Sequence, residues 1–381
     1  MQSKTGSGLE SEAEIFRRKP PKQEAEKKAL SSEHTRQSNA GGGLLLPTGL
    51  ALLNLGMSNT IDGGYESGRI VNIIGDSHAG KTILALSGLA EMAANPVWNE
   101  YMLLFQDVER AMSFNVRKLF GTALERRLRK AWREESEEDI YTPPKTIQDF
   151  YQRILRRIDS GRPFVEVVDS LDALTTTEEI KRSEDMKNSG KEAGSYKMEK
   201  ARWASEILRV ISNGLSETKS LLIIISQTRD NIEPIGFQKK TRSGGKALEF
   251  YASHIFWLAK LNSITQGSNA RKIKVGRNVV AKITKTKRTG FEGEVRFPIY
   301  RQIGVDDTSA TLDFLVEWSP RWKKSGNSIA CDELNIKGFR KDLCHKIERE
   351  FKEEIREHLQ EAWNEYLAAA DIGRQSRFSD I

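Results

Sequence analysis

Cysteine is nearly absent: Cys331 and Cys344 are the whole complement of this 381-residue chain. Their spacing fits no zinc or redox motif, and two thiols make no disulfide framework. Two reduced thiols in a cytosolic protein is the plain reading. No stretch approaches the ~18 consecutive apolar residues of a membrane-spanning helix. The N-terminus is polar and charged and lacks the apolar core of a signal peptide. The expectation is therefore a cytoplasmic protein with no membrane contact. No fixed-period repeat is visible. What the chain does have is charge, 60 Lys and Arg against 53 Asp and Glu, a net +7. A modest basic excess suits a polyanionic partner without naming one. With 38% hydrophobic and 30% charged residues, the composition is that of a soluble globular protein with polar tails. The length allows one large domain or two to three smaller ones.

The most informative stretch begins at Gly68. Ile70, Val71, Ile73 and Ile74 read as a buried strand. The run breaks at Gly75-Asp76-Ser77-His78-Ala79-Gly80-Lys81-Thr82 and resumes with helical character at Ile83-Leu84-Ala85-Leu86. G-x-x-x-x-G-K-T between a strand and a helix is the setting a phosphate-binding loop requires; the bland alternative is an ordinary glycine turn. Glycines let backbone N–H groups curl around phosphate oxygens, and the helix N-terminus adds partial positive charge. Lys81 would reach the β- and γ-phosphates, and the Thr82 hydroxyl would bind Mg²⁺.

Around this loop the chain divides into three parts. Residues 1–43, rich in Lys, Glu, Ser and Gln, read as a flexible arm. Residues 44–324 read as an α/β core. Its apolar runs at Met102–Phe105, Phe164–Val168 and Leu221–Ile225 alternate with helical patterns at 114–135, 147–158 and 201–215. That alternation predicts a mostly parallel sheet covered on both faces. Runs at Ile255–Leu258, Val279–Thr286 and Val295–Ile299 predict an antiparallel extension. The charged stretches 178–200 and 229–246 read as loops. Residues 325–381 read as a small helical appendage, with Leu343, Ile347, Phe351, Ile355 and Leu359 at helical spacing.

Several polar residues fall where nucleotide chemistry needs them. Asp169 closes an apolar strand, the place where a nucleotide enzyme holds Mg²⁺ and its water. Glu109 follows the strand expected next to the phosphate loop, and a carboxylate there can position the attacking water; Asp107 is the rival. Gln227 ends the strand from Leu221, where its amide could touch the γ-phosphate and move the segment that follows. At ~100° per residue, Trp203, Ile207, Leu208, Ile211 and Leu215 share one side of a helix. Arg202, Ser205, Arg209 and Ser212 share the other, either a phosphate track or a solvated face. The loop 229–246 offers Arg229, Lys239, Lys240, Arg242 and Lys246 around Ile232, Ile235 and Phe237, cations and wedges suited to a polynucleotide. Lys285 and Lys287, two apart in a strand, could complete a neighbour's ATP site or merely guard a sheet edge.

Taken together, GRIVNIIGDSHAGKT, the QDVERA strand end, EVVDSLDAL, LLIIISQTRD, SGGKALEFYAS and KITKTKR resemble the RecA recombinase family, from about Leu45 to about Lys324. The 147–185 region also resembles the phage UvsX branch, which points toward a phage-encoded chain. The resemblance implies a RecA-like P-loop ATPase fold and a homo-oligomeric helical filament on single-stranded and double-stranded DNA, with ATP and Mg²⁺ at subunit interfaces. Gly75 through Ile83 would contact the nucleotide. Thr82 and Asp169 would serve the metal, Ser170 would sit beside it, and Tyr300 would lie against adenine. Glu109 would activate water, Gln227 would sense the γ-phosphate, and Lys285 and Lys287 would act across the interface. Ser205 and Arg209, with Arg229, Gly244 and Gly245 of a second DNA loop, would hold DNA, and Arg202, Arg242 and Ser243 beside them are expected to join them. His78 departs from the small polar residues usual in the family's loop. The expected activity is DNA-dependent ATP hydrolysis coupled to homologous pairing and strand exchange. The rivals are a ring-forming ATPase motor on the same fold and an ATP-binding accessory protein without productive hydrolysis.

Overall fold

Aliphatic runs set the centre of the fold. The computed structural model describes residues 43–135, 142–189, 197–230, 240–242, 245–267 and 271–374. In chain order the strands are β1 (Leu45–Leu46), β2 (Tyr65–Glu66), β3 (Arg69–Gly75), β4 (Met102–Asp107), β5 (Phe164–Asp169), β6 (Leu221–Asp230), β7 (Lys240–Arg242), β8 (His254–Gln266), β9 (Ile273–Thr286), β10 (Gly293–Tyr300), β11 (Gly304–Val305), β12 (Trp322–Ser325), β13 (Ser328–Cys331) and β14 (Ile336–Phe339). The helices are α1 (Ala51–Ser58), α2 (Lys81–Ala94), α3 (Val116–Glu135), α4 (Ile147–Asp159), α5 (Thr177–Ser189), α6 (Lys197–Glu217), α7 (Gly245–Tyr251), α8 (Asp307–Trp318), α9 (Arg340–Glu350) and α10 (Lys352–Ala368).

The main sheet runs β11-β10-β9-β8-β3-β6-β5-β4, with β7 paired onto β6. Strands β4, β5, β6, β3 and β8 are mutually parallel, and β8 through β11 continue antiparallel, as the sequence predicts. The interior parallel strands bury both faces, which is why they read as unbroken aliphatic runs. On one face Phe150 and Ile154 of α4 and Ile207, Leu208, Ile211 and Leu215 of α6 meet Ile70, Ile74, Val168, Leu222 and Ile224. The alternate strand residues, among them Val71, Ile73, Val167, Ile223 and Ile225, are buried on the other face, where α2 lies.

Four local expectations need correction. The stretch 178–200 is helical over Thr177–Ser189 and again from Lys197; residues 190–196 lie outside the described set. The cause is a capping box. Thr176 Oγ1 accepts from the Glu179 backbone N–H at 3.1 Å, and Glu179 Oε2 accepts from the Thr176 N–H at 2.9 Å. The segment 229–246 is ordered at both ends. Thr228, Arg229 and Asp230 pair antiparallel with Arg242, Thr241 and Lys240, and α7 begins at Gly245. The region from 325 opens as sheet, because Gly326-Asn327 turns β12 back along β13, with Gly326 at φ 58°. Finally, β9 ends at Thr286, so Lys287 opens the following turn and does not share a strand face with Lys285.

Two buried polar features yield predictions. Arg157 on α4 donates from Nη1 to Glu166 Oε2 of β5 at 2.6 Å, both side chains being buried. Arg157→Met should cost about 3–5 kcal/mol in urea unfolding by leaving a buried carboxylate charge, and adding Glu166→Leu should recover most of it. His254, the first residue of β8, is buried with no hydrogen-bond partner on either ring nitrogen. Burial lowers its pKa to about 4, helped by Arg288 and Arg69 and opposed by Glu66. A folded value below the unfolded ~6.5 means its contribution is intact above that pH and is lost as the pH falls toward 4. His254→Leu should remove about 3 kcal/mol of acid destabilisation across that window, read from urea melts at each pH.

Candidate active site

The parallel register brings the strand tips together. Gly75 stands opposite Gln227, and Asp107 opposite Asp169. Beyond Gly75 the chain turns tightly, with the Ala79 N–H bonded to the Asp76 carbonyl at 3.2 Å, and enters α2 at Lys81. Gly80 has φ 101°, and a Cβ there would lie 2.4 Å from Ile299 Cδ1. A Cβ on Gly75 would lie 2.5 Å from the Leu258 carbonyl oxygen. Gly75 is therefore required by its close approach to backbone, and Gly80 by its left-handed conformation, the Ile299 side-chain end being able to shift. Gly80 offers no side-chain cap to α2, which leaves the first-turn N–H groups available to an anion.

Lys81 Nζ donates to the Gly75 and Asp76 carbonyls at 2.8 and 2.9 Å, which holds its ammonium at the mouth of the loop. Burial pulls its pKa below the ordinary value, against the Asp169, Glu109 and Asp76 carboxylates. Thr82 Oγ1 donates to Asp169 Oδ2 at 2.5 Å. Burial raises the Asp169 pKa, and the Thr82 hydrogen bond works against it. Among the described residues no group of three or more ligating side chains stands ready for a metal. The donor set is two adjacent oxygens beside an anion cradle. That fits Mg²⁺, which keeps waters and takes further ligands from phosphate.

Glu109 and Asp107 are separated by what they touch. Asp107 accepts from the Ala111 and Met112 N–H groups at 3.0 and 3.1 Å and so closes the turn after β4. Glu109 Oε1 accepts from Ser170 Oγ at 2.6 Å and from Gln227 Nε2 at 2.8 Å. One carboxylate oxygen thus joins the chain just beyond β4 and β5 to Gln227 of β6.

Two contacts were not read from the sequence. The Thr228 hydroxyl donates to Asp76 Oδ1, a second strut between β6 and the glycine loop. Arg277 Nη1 donates to the His78 carbonyl at 2.6 Å and braces the loop from outside, while His78 itself sits at φ 61°. A histidine tolerates that left-handed backbone better than most side chains, which accounts for its place there. Nothing in a linear pattern connects residue 277 to 78; only the hairpin of β9 does.

The remaining predicted residues lie as follows. Tyr300 ends β10 and lines a cavity of about 220 Å³ beside Ile83. Lys285 Nζ donates to the Glu249 carbonyl at 2.5 Å and to Phe250 at 3.4 Å, at the C-terminal end of α7. Lys287 is exposed. Ser205 and Arg209 are exposed on α6, on the side away from buried Ile207, Leu208 and Ile211. The Ser212 hydroxyl is committed to the Leu208 carbonyl. Gly245 is the first residue of α7. The Arg202, Arg229 and Arg242 side chains, and residues Ser243 and Gly244 entirely, lie outside what the structure describes. Among the described residues no helix is long and apolar enough to cross a membrane.

The RecA N-terminal domain family model matches residues 45–305. Protein RecA of Acidothermus cellulolyticus is 27% identical over 320 residues, 82% of this chain and 84% of that protein. Protein RecA of Halalkalibacterium halodurans is 27% identical over 303 residues, 78% of each chain. Protein RecA of Clavibacter michiganensis is 29% identical over 273 residues, 72% of this chain and 67% of that protein. The match opens at β1, closes with β11 and takes in the glycine loop, Glu109, Asp169 and Gln227, so the chain belongs to the RecA family.

Proposed function

We propose that this protein is a DNA-dependent ATPase that assembles as a filament on single-stranded DNA and pairs it with homologous duplex. The observation that carries the proposal is the shared acceptor Glu109 Oε1, bonded to Ser170 and to Gln227. It links a carboxylate beside the glycine loop to the strand that continues into the β6–β7 ribbon. In this arrangement the Gln227 amide donor is committed to Glu109. When a triphosphate fills the loop, its terminal oxygen competes for that amide. Release of Glu109 then frees a carboxylate to hold the attacking water, and the displacement of Gln227 is passed to the ribbon.

Thr82 and Asp169 would hold Mg²⁺, which supplies charge neutralisation at the β- and γ-phosphates. Lys81, with its ammonium already at the loop mouth, adds a second cation there. Exposed Ser205 and Arg209 on α6 suit a sugar–phosphate backbone, with sequence recognition left to base pairing. DNA affinity should then fall with added salt. ATP turnover measured with and without single-stranded DNA tests the proposal directly. Turnover indifferent to DNA, or closed rings in place of filaments by electron microscopy, would reject it.

Glu109→Gln should retain ATP and DNA binding and lose about 100-fold or more in turnover; unchanged turnover would reject Glu109 as the water-holding group. The lysine pair is testable by mixing. Lys285→Ala/Lys287→Ala subunits should bind ATP normally yet show no DNA-stimulated hydrolysis. Combined with Lys81→Ala subunits they should regain part of it, since each partner supplies what the other lacks. Absence of any rescue would count against action across the subunit boundary.

A further inference from the structure

Strand β6 changes partners at one peptide. Through Gln227 it pairs parallel with β3, and from Thr228 it pairs antiparallel with β7. Below that point it is fastened from within. Buried Asn72 of β3 donates from Nδ2 to the Ser226 hydroxyl at 2.8 Å and to the Ile224 carbonyl at 3.0 Å. Beyond it the chain reaches the surface, Gln227 being exposed and Thr228 half-buried. Any movement of the β6–β7 ribbon against the sheet therefore hinges at Gln227 and Thr228. Each of these two residues is held by an acidic side chain: Gln227 donates to Glu109, and Thr228 donates to Asp76. Successive residues of a strand point to opposite sides, so the two holds grip β6 from its two faces.

Asp76 stands at an electrostatically awkward place. It follows Gly75 directly, in a loop whose backbone and lysine suit an anion. Lys81 Nζ lies 2.9 Å from its backbone carbonyl oxygen, and its carboxylate is close enough to act on that ammonium. A triphosphate in the loop draws Lys81 to itself and sets several negative charges beside the Asp76 carboxylate. Water weakens this repulsion at an exposed site without abolishing it. A hydrogen bond tolerates little displacement of its acceptor, so a carboxylate pushed aside lets the Thr228 hydroxyl go.

We propose that Asp76 and Thr228 are positioning residues that form a latch between the glycine loop and the β6–β7 ribbon, and that the charge of a bound triphosphate opens it. This rests on the reading of the loop as a nucleotide site and of the ribbon as a DNA contact, and adds a second route between them beside Gln227. A ligand shifts a conformational equilibrium only through its differential affinity for the two states, and here the difference is electrostatic. Linkage makes the effect reciprocal: by the factor that triphosphate strengthens DNA binding, DNA strengthens triphosphate binding. The closed latch costs both ligands, so its two halves can be removed separately and the losses told apart.

The experiment is equilibrium binding of a fluorescent oligothymidylate to the full chain by anisotropy, with and without the β,γ-imido analogue of ATP and Mg²⁺. Calorimetry gives the affinity for the analogue without DNA. Thr228→Val keeps the shape and loses the donor. It should bind DNA about fivefold or more tightly without nucleotide, and as the unmodified protein does with the analogue. Thr228→Ser restores the hydroxyl and should behave as the unmodified protein. Asp76→Asn keeps an acceptor for Thr228 and loses the charge. It should bind the analogue about fivefold or more tightly without DNA, and the analogue should strengthen its DNA binding less by that same factor. Thermal melting checks that each variant folds; should Thr228→Val not fold, Asp76→Asn decides. A strut of purely structural value would weaken DNA binding in both conditions and leave their ratio unchanged. An unchanged ratio in either folded variant overturns the proposal, as does weaker DNA binding by Thr228→Val without nucleotide. Those results leave the nucleotide and DNA sites standing. If the analogue does not alter DNA binding by the unmodified protein, the reading of its function fails, and this proposal with it.

Discussion

The site depends on the parallel register of β3, β4, β5 and β6. That register sets Gly75 against Gln227 and Asp107 against Asp169, so the polar tips emerge on one side of the sheet. Parallel strands slip at a cost here, because both faces are buried and a shift of one residue would exchange the side chains packed against α4 and α6 with those facing α2. The buried Arg157–Glu166 pair adds a polar lock between α4 and β5, the strand that ends in Asp169. Positions of the catalytic candidates are thus set deep in the core, several residues below the groups themselves. The glycine loop is fixed from three further directions. Ile299 presses on Gly80, Arg277 holds the His78 carbonyl, and Thr228 holds Asp76.

Much of this was legible in the chain. The aliphatic runs are continuous because their strands are buried on both sides; the β5 run ends at Asp169 because the strand does, whereas Gln227, expected to end its strand, is only the last β6 residue paired with β3, and β6 continues to Asp230. The G-x-x-x-x-G-K-T spacing needs no tertiary information, since its chemistry is that of one loop and one helix end. The α6 stripe was legible as well: Ile207, Leu208 and Ile211 are buried and Ser205 and Arg209 exposed, as ~100° per residue requires.

What was missed has physical reasons. The helix at Thr177 was hidden by its charge, although Thr176 and Glu179 carry the capping signature in plain view. The short sheet at 322–339 was hidden by the strong helical period that follows it, and the Gly326-Asn327 turn was the available sign. The choice between Asp107 and Glu109 was undecidable from spacing. It turns on which carboxylate the local backbone consumes, and the Ala111 and Met112 amides consume Asp107. The Arg277 brace joins residues about two hundred positions apart, which no local pattern can report.

The C-terminal helices are less of an appendage than their sequence suggests. Trp363 and Tyr366 of α10 form one aromatic cluster with Phe314 and Trp318 of α8 and with Phe291, in the turn after β9. Trp363 Nε1 also donates to Asn59 Oδ1 at 2.6 Å, just past α1. Phe291 lies only four residues beyond Lys287. A truncation that discards α10 would therefore strip the tilted and edge-on rings from the very bend that presents this lysine. Loss of cooperativity in such a shortened chain would report a slackened hairpin as readily as a missing tail. Indole emission from Trp363, quenched or shifted as that bend moves, offers an optical readout of the same hairpin in the intact chain.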